Sequence, residues 1–177
     1  MKIKVRNKII FETFDHYIYE KDLSDFLLGD VELKVVEIDK DNIDKAGNAV
    51  GNTTRKWIMK DYPYAHGYYF VDRDGNNVGS CWVMDKGGDE KLYRIRNHDS
   101  FIFRVEIEEE YRGKGYAKQM MNMIFNLIKE KGCTNTCLVC ATKNIAANTL
   151  YERLNMNRVG RRKFVRLFDR NLPYHSI

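Results

Sequence analysis

The chain has 177 residues, 44% hydrophobic and 31% charged, which is enough for one domain with a sizeable core. Its net charge of +5 favours an anionic ligand but falls short of the basic footprint of a dedicated nucleic-acid binder, so no nucleic-acid partner is expected. No apolar run is long enough to cross a bilayer, and the opening MKIKVRNKII alternates charge with apolar residues where a secretory signal needs a continuous apolar stretch; a cytoplasmic location without membrane contact is expected.

Taken in order, residues 2–5 alternate as a short strand. Residues 14–28 place Tyr17, Ile18, Leu23, Phe26 and Leu27 near helical spacing, with Gly29 as a stop. Residues 1–30 are therefore expected to form an extension packed on a main domain of residues 31–177. Residues 31–38 read as a strand, 39–42 as turn and helix cap, and parts of 43–62 as helix, interrupted at Gly47 and Gly51 and ended by Pro63. Residues 68–71 and 77–84 form two strands around the turn DRDGN, since Asp-Gly supplies the positive φ of a hairpin turn. Gly87-Gly88 breaks the chain, 92–96 reads as a further strand, and 101–107 is the strongest strand of all.

After residue 107 comes an acidic cluster, a basic glycine turn, and a helix-forming run over 117–131 that is closed by Gly132. Met120, Met121, Ile124, Phe125, Leu127 and Ile128 fall on one helical face and read as core packing. The nearly all-apolar 136–141 is a strand covered on both faces. A helix over 144–154 and a strand or strand pair over 156–168 complete an α/β domain, a mixed sheet flanked by helices. The four cysteines, Cys81, Cys133, Cys137 and Cys140, read as buried thiols. Their C-x3-C-x2-C spacing has no second ligand cluster, and a strand would turn Cys137 and Cys140 to opposite faces, so no metal is expected.

The segment 101–117, strand then glycine turn then helix, aims backbone N–H groups and a helix dipole at an anion. Arg112-Gly113-Lys114-Gly115-Tyr116-Ala117 has neither the P-loop spacing nor the third small residue of a dinucleotide fingerprint, because position 118 is lysine. Its two glycines would let the backbone approach a pyrophosphate, with Arg112 and Lys114 beside it; it would serve equally as an ordinary strand-to-helix loop.

A second constellation, Asn144, Ala147, Leu150 and Tyr151, opens directly after the 136–141 strand. Together the two segments resemble the GNAT family of N-acetyltransferases. Arg112, Gly115 and Ala117 match its motif [RQ]-x-x-G-x-[GA], and the second set matches N-x-x-A-x-x-[LF]-Y-x-x-x-G-F except at the end. There Asn155-Met156 stand for Gly-Phe, and asparagine tolerates the left-handed φ such a turn needs. The resemblance covers roughly residues 31–168.

It implies the acyl-CoA N-acyltransferase fold, a mostly antiparallel splayed sheet, with acetyl-CoA as acyl donor lying where the strands 101–107 and 136–141 part. It further implies that Ile107 and Glu108 pair with the pantetheine arm, that Arg112, Gly113, Lys114, Gly115, Tyr116 and Ala117 hold the pyrophosphate, and that Asn144 contacts the cofactor. Tyr151 would be the general acid for the leaving thiolate, the alternative being an aromatic packed on a helix face. Glu106 is the candidate base. Strand alternation puts it on the face of Ile102 and Arg104, and Arg104 could simply form an ion pair with it. Asp99 is a further base candidate, and proton transfer to ordered water needs no base at all. His16, His66, His98 and His175 lack ligand spacing, although His98 could approach the acceptor. The basic run Arg158, Arg161, Arg162, Lys163 and Arg166 could attract the 3′-phosphate of CoA, an anionic acceptor or RNA, and reads first as one solvated face of an edge strand.

The expected function is acetyl transfer to a primary amine of a small molecule or peptide, with homodimerisation possible. Transfer of another acyl group, or a catalytically inactive CoA-binding regulator, are the alternatives.

Overall fold

The computed structural model describes residues 2–5, 8–46, 58, 60, 64–85, 100–167 and 170–173, and of 2–5, 8–12, 164–167 and 170–173 the backbone alone. The expected strand at 92–96, most of the expected helix within 43–62, and the candidates His98, Asp99 and His175 lie outside these residues. Among the described residues no helix is long and apolar enough to cross a membrane. They fall into two compact units, one drawn from Met1–Glu20 and Leu138–Ile177, the other from Lys21–Asp89 and Ile95–Cys137.

The second unit carries strands β3 (Lys34–Glu37), β4 (Ala65–Val71), β5 (Asn77–Met84) and β6 (Ser100–Ile107) side by side, each pair antiparallel. Asp72 makes the β4–β5 turn by accepting the amides of Asp74 and Asn76 at 3.0 and 2.9 Å, while Gly75 takes φ +85°. Helix α1 (Tyr116–Glu130) follows, burying Met120, Met121, Met123, Ile124, Phe125 and Ile128, and Gly132 closes its end at φ +84°. Within 43–62, where parts were expected to be helical, the described residues show a short 3-10 turn, Ile43–Lys45, and helical backbone at Ile58 and Lys60.

Both faces of β5 are covered. Gly79 lies beneath the Met120 sulfur of α1, whereas Trp82 points the other way, into a core of Ile38, Ile43, Ala46, Ile58 and Tyr69. Gly67 on β4 gives the Trp82 ring its room, since a Cβ there would sit 2.8 Å from the indole.

The first unit corrects the reading of the N-terminal segment. Residues 14–22 are not helical but belong to β2 (Lys8–Asp22), which pairs antiparallel with β8 (Asn157–Leu167). The spacing of Tyr17, Ile18, Leu23 and Phe26 suits a helix, but Thr13, Phe14, Tyr17, Ile18 and Tyr19 are β-branched or aromatic, and a ten-residue ladder on β8 outweighs the spacing. β1 (Lys2–Val5) pairs with the start of β2, and β9 (Arg170–Pro173) with the end of β8. β7 (Asn135–Ala141) leaves the second unit after Cys137 and ends in the first, where α2 (Ile145–Arg153) follows it. All four cysteines are free and buried, and burial pushes the Cys140 thiol up to about 11.

A Cβ added at Gly79 would overlap the carbonyl oxygen of Glu106 and press on the Ile107 Cα. Backbone cannot swing aside as a side chain can. Gly79→Ala is therefore expected to destabilise the second unit by about 2–3 kcal/mol, read as a lower urea midpoint at unchanged m-value.

Candidate active site

Strand β6 carries one residue more than its partner. Ser80 pairs with Glu106 and Trp82 with Phe103, so Arg104 and Val105 together oppose Cys81, and Arg104 takes φ +52°. This is a β-bulge with its first residue left-handed. The extra residue reverses the alternation downstream. Glu106 therefore shares a face with Phe101, Phe103, Ser80 and Trp82, not with Ile102 as simple alternation predicts. The ring stack of Phe101 on Phe103, 5.9 Å apart and 15° from parallel, marks that face. Glu106 is one quarter exposed, and its carboxylate lies 4.0 Å from the Arg104 guanidinium, the loose ion pair anticipated from the sequence.

Beyond the bulge the backbone groups divide by direction. The Glu108 N–H donates to the Val78 carbonyl at 2.9 Å. Ile107, one residue before it and opposite Gly79, stands at a non-hydrogen-bonded pair, so its own N–H and C=O turn away from β5. Arg112 folds back so that its Nε donates to that Ile107 carbonyl at 3.2 Å. Of the two residues expected to meet an extended ligand, Ile107 presents its backbone outward, whereas the amide of Glu108 is committed to β5.

A 3-10 turn, Glu109–Tyr111, leads into the glycine loop. Gly113 and Gly115 take φ +75° and +86°, and nothing lies within 4 Å of where their Cβ atoms would be. Conformation and not crowding requires glycine here. Gly115 is also the N-cap of α1 and offers no side-chain acceptor, so the first-turn amides receive no cap from it. Lys118 N–H donates back to the Gly115 carbonyl at 3.1 Å, which leaves the amides before it facing outward. An uncapped helix start with open space above it and Arg112 and Lys114 alongside fits a pyrophosphate.

The loop is anchored from one side. Tyr111 donates its hydroxyl to Asp72 Oδ2 at 3.0 Å, its ring meets Tyr116 edge-on at 5.5 Å, and Lys114 Nζ lies 5.5 Å above it. Desolvation raises the Asp72 carboxyl, but bonds from the Asn76 amide, the Tyr111 hydroxyl and the Asp74 amide hold it below the ordinary carboxylate range. Tyr111 and Asp72 lie 39 positions apart, beyond the reach of any local pattern, and meet through the β5–β6 pairing.

In the first unit, Asn144 caps α2: its Oδ1 accepts the Ala147 amide at 3.2 Å. Tyr151 lies on the buried side of that helix, 6% exposed. Its carbonyl accepts the Met156 amide at 3.0 Å, and Asn155 between them takes φ +55° while Met156 is buried. Asparagine and methionine thus do here what glycine and phenylalanine do in the motif. Two residues that carried no role in the sequence reading meet here, Tyr19 of β2 and Asn148 of α2 itself. Had 13–19 been read as a strand, alternation would have set Tyr17 and Tyr19 on one face.

The model of the Acetyltransferase (GNAT) family matches residues 35–156. N-acetyltransferase 8F1 of Rattus norvegicus is 28% identical over 124 residues, covering 68% of this chain and 52% of that one. A Bacillus subtilis protein, named provisionally as a [ribosomal protein bS18]-alanine N-acetyltransferase, is 32% identical over 105 residues, covering 59% and 62%. The chain thus spans about half to three fifths of the lengths of these relatives. Among solved structures, a GCN5-related N-acetyltransferase from Sphaerobacter thermophilus superposes with a TM-score of 0.60 at 14% identity, over 93% of this chain and 55% of that one, a likeness of fold.

Left-handed φ at Asn155 has a measurable cost for a residue with a Cβ and no local polar partner. Asn155→Ala is expected to lose about 1 kcal/mol of stability, and Asn155→Gly to keep or slightly raise it. Thermal unfolding of the two variants side by side checks this.

Proposed function

Because this chain belongs to the GNAT family of acetyltransferases, we propose that it moves an acetyl group from acetyl-CoA to a primary amine of a small molecule or peptide. One observation carries this reading: a helix start without a side-chain cap, reached through two left-handed glycines with open space above them and flanked by Arg112 and Lys114. Such a cradle suits the pyrophosphate of a coenzyme A thioester. The outward backbone of Ile107 suits the amide groups of its pantetheine arm, paired as an added strand.

The chemistry then follows from what acyl transfer requires. An amine attacks only as its neutral form, so a proton must leave it, either to ordered water or to Glu106, which lies partly shielded on the Trp82 face of β6. The nitrogen lone pair forms the C–N bond at the thioester carbonyl. Negative charge gathers on the carbonyl oxygen, and a backbone N–H at the end of β6 can stabilise it. The C–S bond breaks as the tetrahedral intermediate collapses, the Tyr151 phenol gives its proton to the departing sulfur, and the extra proton still on the new amide nitrogen leaves through water and restores the phenol. A phenol of ordinary pKa about 10 is protonated at neutral pH and so able to do this. The Bacillus subtilis relative is named for a protein alanine as acceptor, which supports a peptide amine as one arm of any acceptor screen.

The test is an amine-panel assay following release of the CoA thiol. At least one primary amine is expected to accelerate release well above hydrolysis. Binding of acetyl-CoA with no acceleration by any amine would favour a CoA-binding regulator instead. Tyr151→Phe is expected to lower kcat by about 100-fold while leaving acetyl-CoA affinity nearly intact; unchanged kcat would remove Tyr151 as the acid.

A further inference from the structure

We propose that Tyr19 and Asn148 are positioning residues that hold the Tyr151 phenol in place for proton transfer, an inference that rests on the reading of Tyr151 as the general acid. All three belong to the first unit. Asn148 and Tyr151 lie three residues apart on α2 and so project from the same helical face. Tyr19 comes to that face from β2, where Arg158 of β8 is its cross-strand partner.

The geometry leaves the Asn148 amide one orientation. Its Nδ2 donates to two carbonyls at the end of β7, Ala141 at 3.0 Å and Thr142 at 3.3 Å. Its Oδ1 accepts the Tyr19 hydroxyl at 3.0 Å. Turning the amide over would set its oxygen against two carbonyl oxygens, so Tyr19 must be the donor in this bond. The Asn148 amide N–H is also held, by the Asn144 carbonyl at 3.0 Å, which ties the side chain to the helix start.

Tyr19 then acts on Tyr151 through its ring. The centroids are 5.5 Å apart with planes at 56°, a tilted contact in which one ring limits rotation of the other. Tyr19 is fully buried, so any effect it has on the reaction passes through its neighbours and not through contact with substrate. Burial raises its phenol above the ordinary value, although bonding from Arg158 draws it back, so it stays a donor to Asn148 throughout the neutral range. Arg158 is in turn paired with Glu152 on α2, beside Tyr151 in sequence. The chain of contacts from Glu152 through Arg158, Tyr19 and Asn148 to the end of β7 thus reaches Tyr151 through the Tyr19 ring. Apolar residues would fill this space without any need for partners. A satisfied polar network instead selects a single arrangement of the rings.

The variants to make are Tyr19→Phe, which keeps the ring and deletes only the hydroxyl, and Asn148→Leu, which removes its acceptor from the other side. Each is expected to lower kcat about tenfold with acetyl-CoA KM unchanged. The double variant Tyr19→Phe/Tyr151→Phe should be no slower than Tyr151→Phe alone, because a positioning residue has nothing left to position. Circular dichroism confirms that each variant is folded. A Tyr19→Phe protein with lowered Tm but full kcat would overturn the proposal, as would losses that multiply in the double variant. Full kcat in Tyr151→Phe would remove the general-acid reading and the positioning role with it. Reduced kcat in Tyr151→Phe beside full kcat in both other variants would overturn the positioning role alone.

Discussion

One extra residue in β6 sets the orientation of the second unit's candidate groups. With Arg104 held at φ +52°, two residues oppose Cys81 and every later side chain changes face. Glu106 thereby joins Trp82 and Phe103 on the side away from α1, and Ile107 comes opposite Gly79 with its backbone turned outward. A left-handed non-glycine residue costs on the order of 1 kcal/mol, and the ladder on β5 together with the aromatic face over Trp82 holds it there. Gly79 belongs to the same constraint, because only a residue without a Cβ lets β5 pass so close to the Glu106 carbonyl.

The glycine loop downstream depends on this register. Its amides face outward because Gly115 supplies no cap, and its position is secured by the Tyr111 hydroxyl on Asp72. The same carboxylate that shapes the β4–β5 turn therefore also anchors the loop that precedes α1. A carboxylate so placed works by geometry: held below its ordinary range by several donors, it remains an acceptor through the neutral and mildly acidic range.

In the first unit the corresponding constraint is a short helix, α2, that carries Tyr151 on its buried side. α2 runs only from Ile145 to Arg153, too short to be stable alone, and Asn144 at its start and Asn155 after its end supply the local terms. Asn148 adds the long-range one, joining the end of β7 to Tyr19 of β2 across 129 positions of sequence.

Much of this was legible in the residues themselves. The hairpin at Asp72–Asn76, the helix ended by Gly132 and the loop at Arg112–Ala117 all rest on glycine, asparagine or aspartate at backbone positions few other residues tolerate. Such requirements are local and show in a few consecutive letters. The matched sets Arg112, Gly115, Ala117 and Asn144, Ala147, Leu150, Tyr151 were visible for the same reason, and so was the family. What only the tertiary structure decided was non-local. Residues 14–22 became strand because β8 offers a ladder that spacing cannot reveal, and Glu106 changed face because of where Ser80 and Trp82 pair. Tyr19 found Asn148 because two strands and a helix meet there. A turn is set by its own dihedrals, whereas a register is set by the neighbour it pairs with, and the neighbour is known only once the chain has folded.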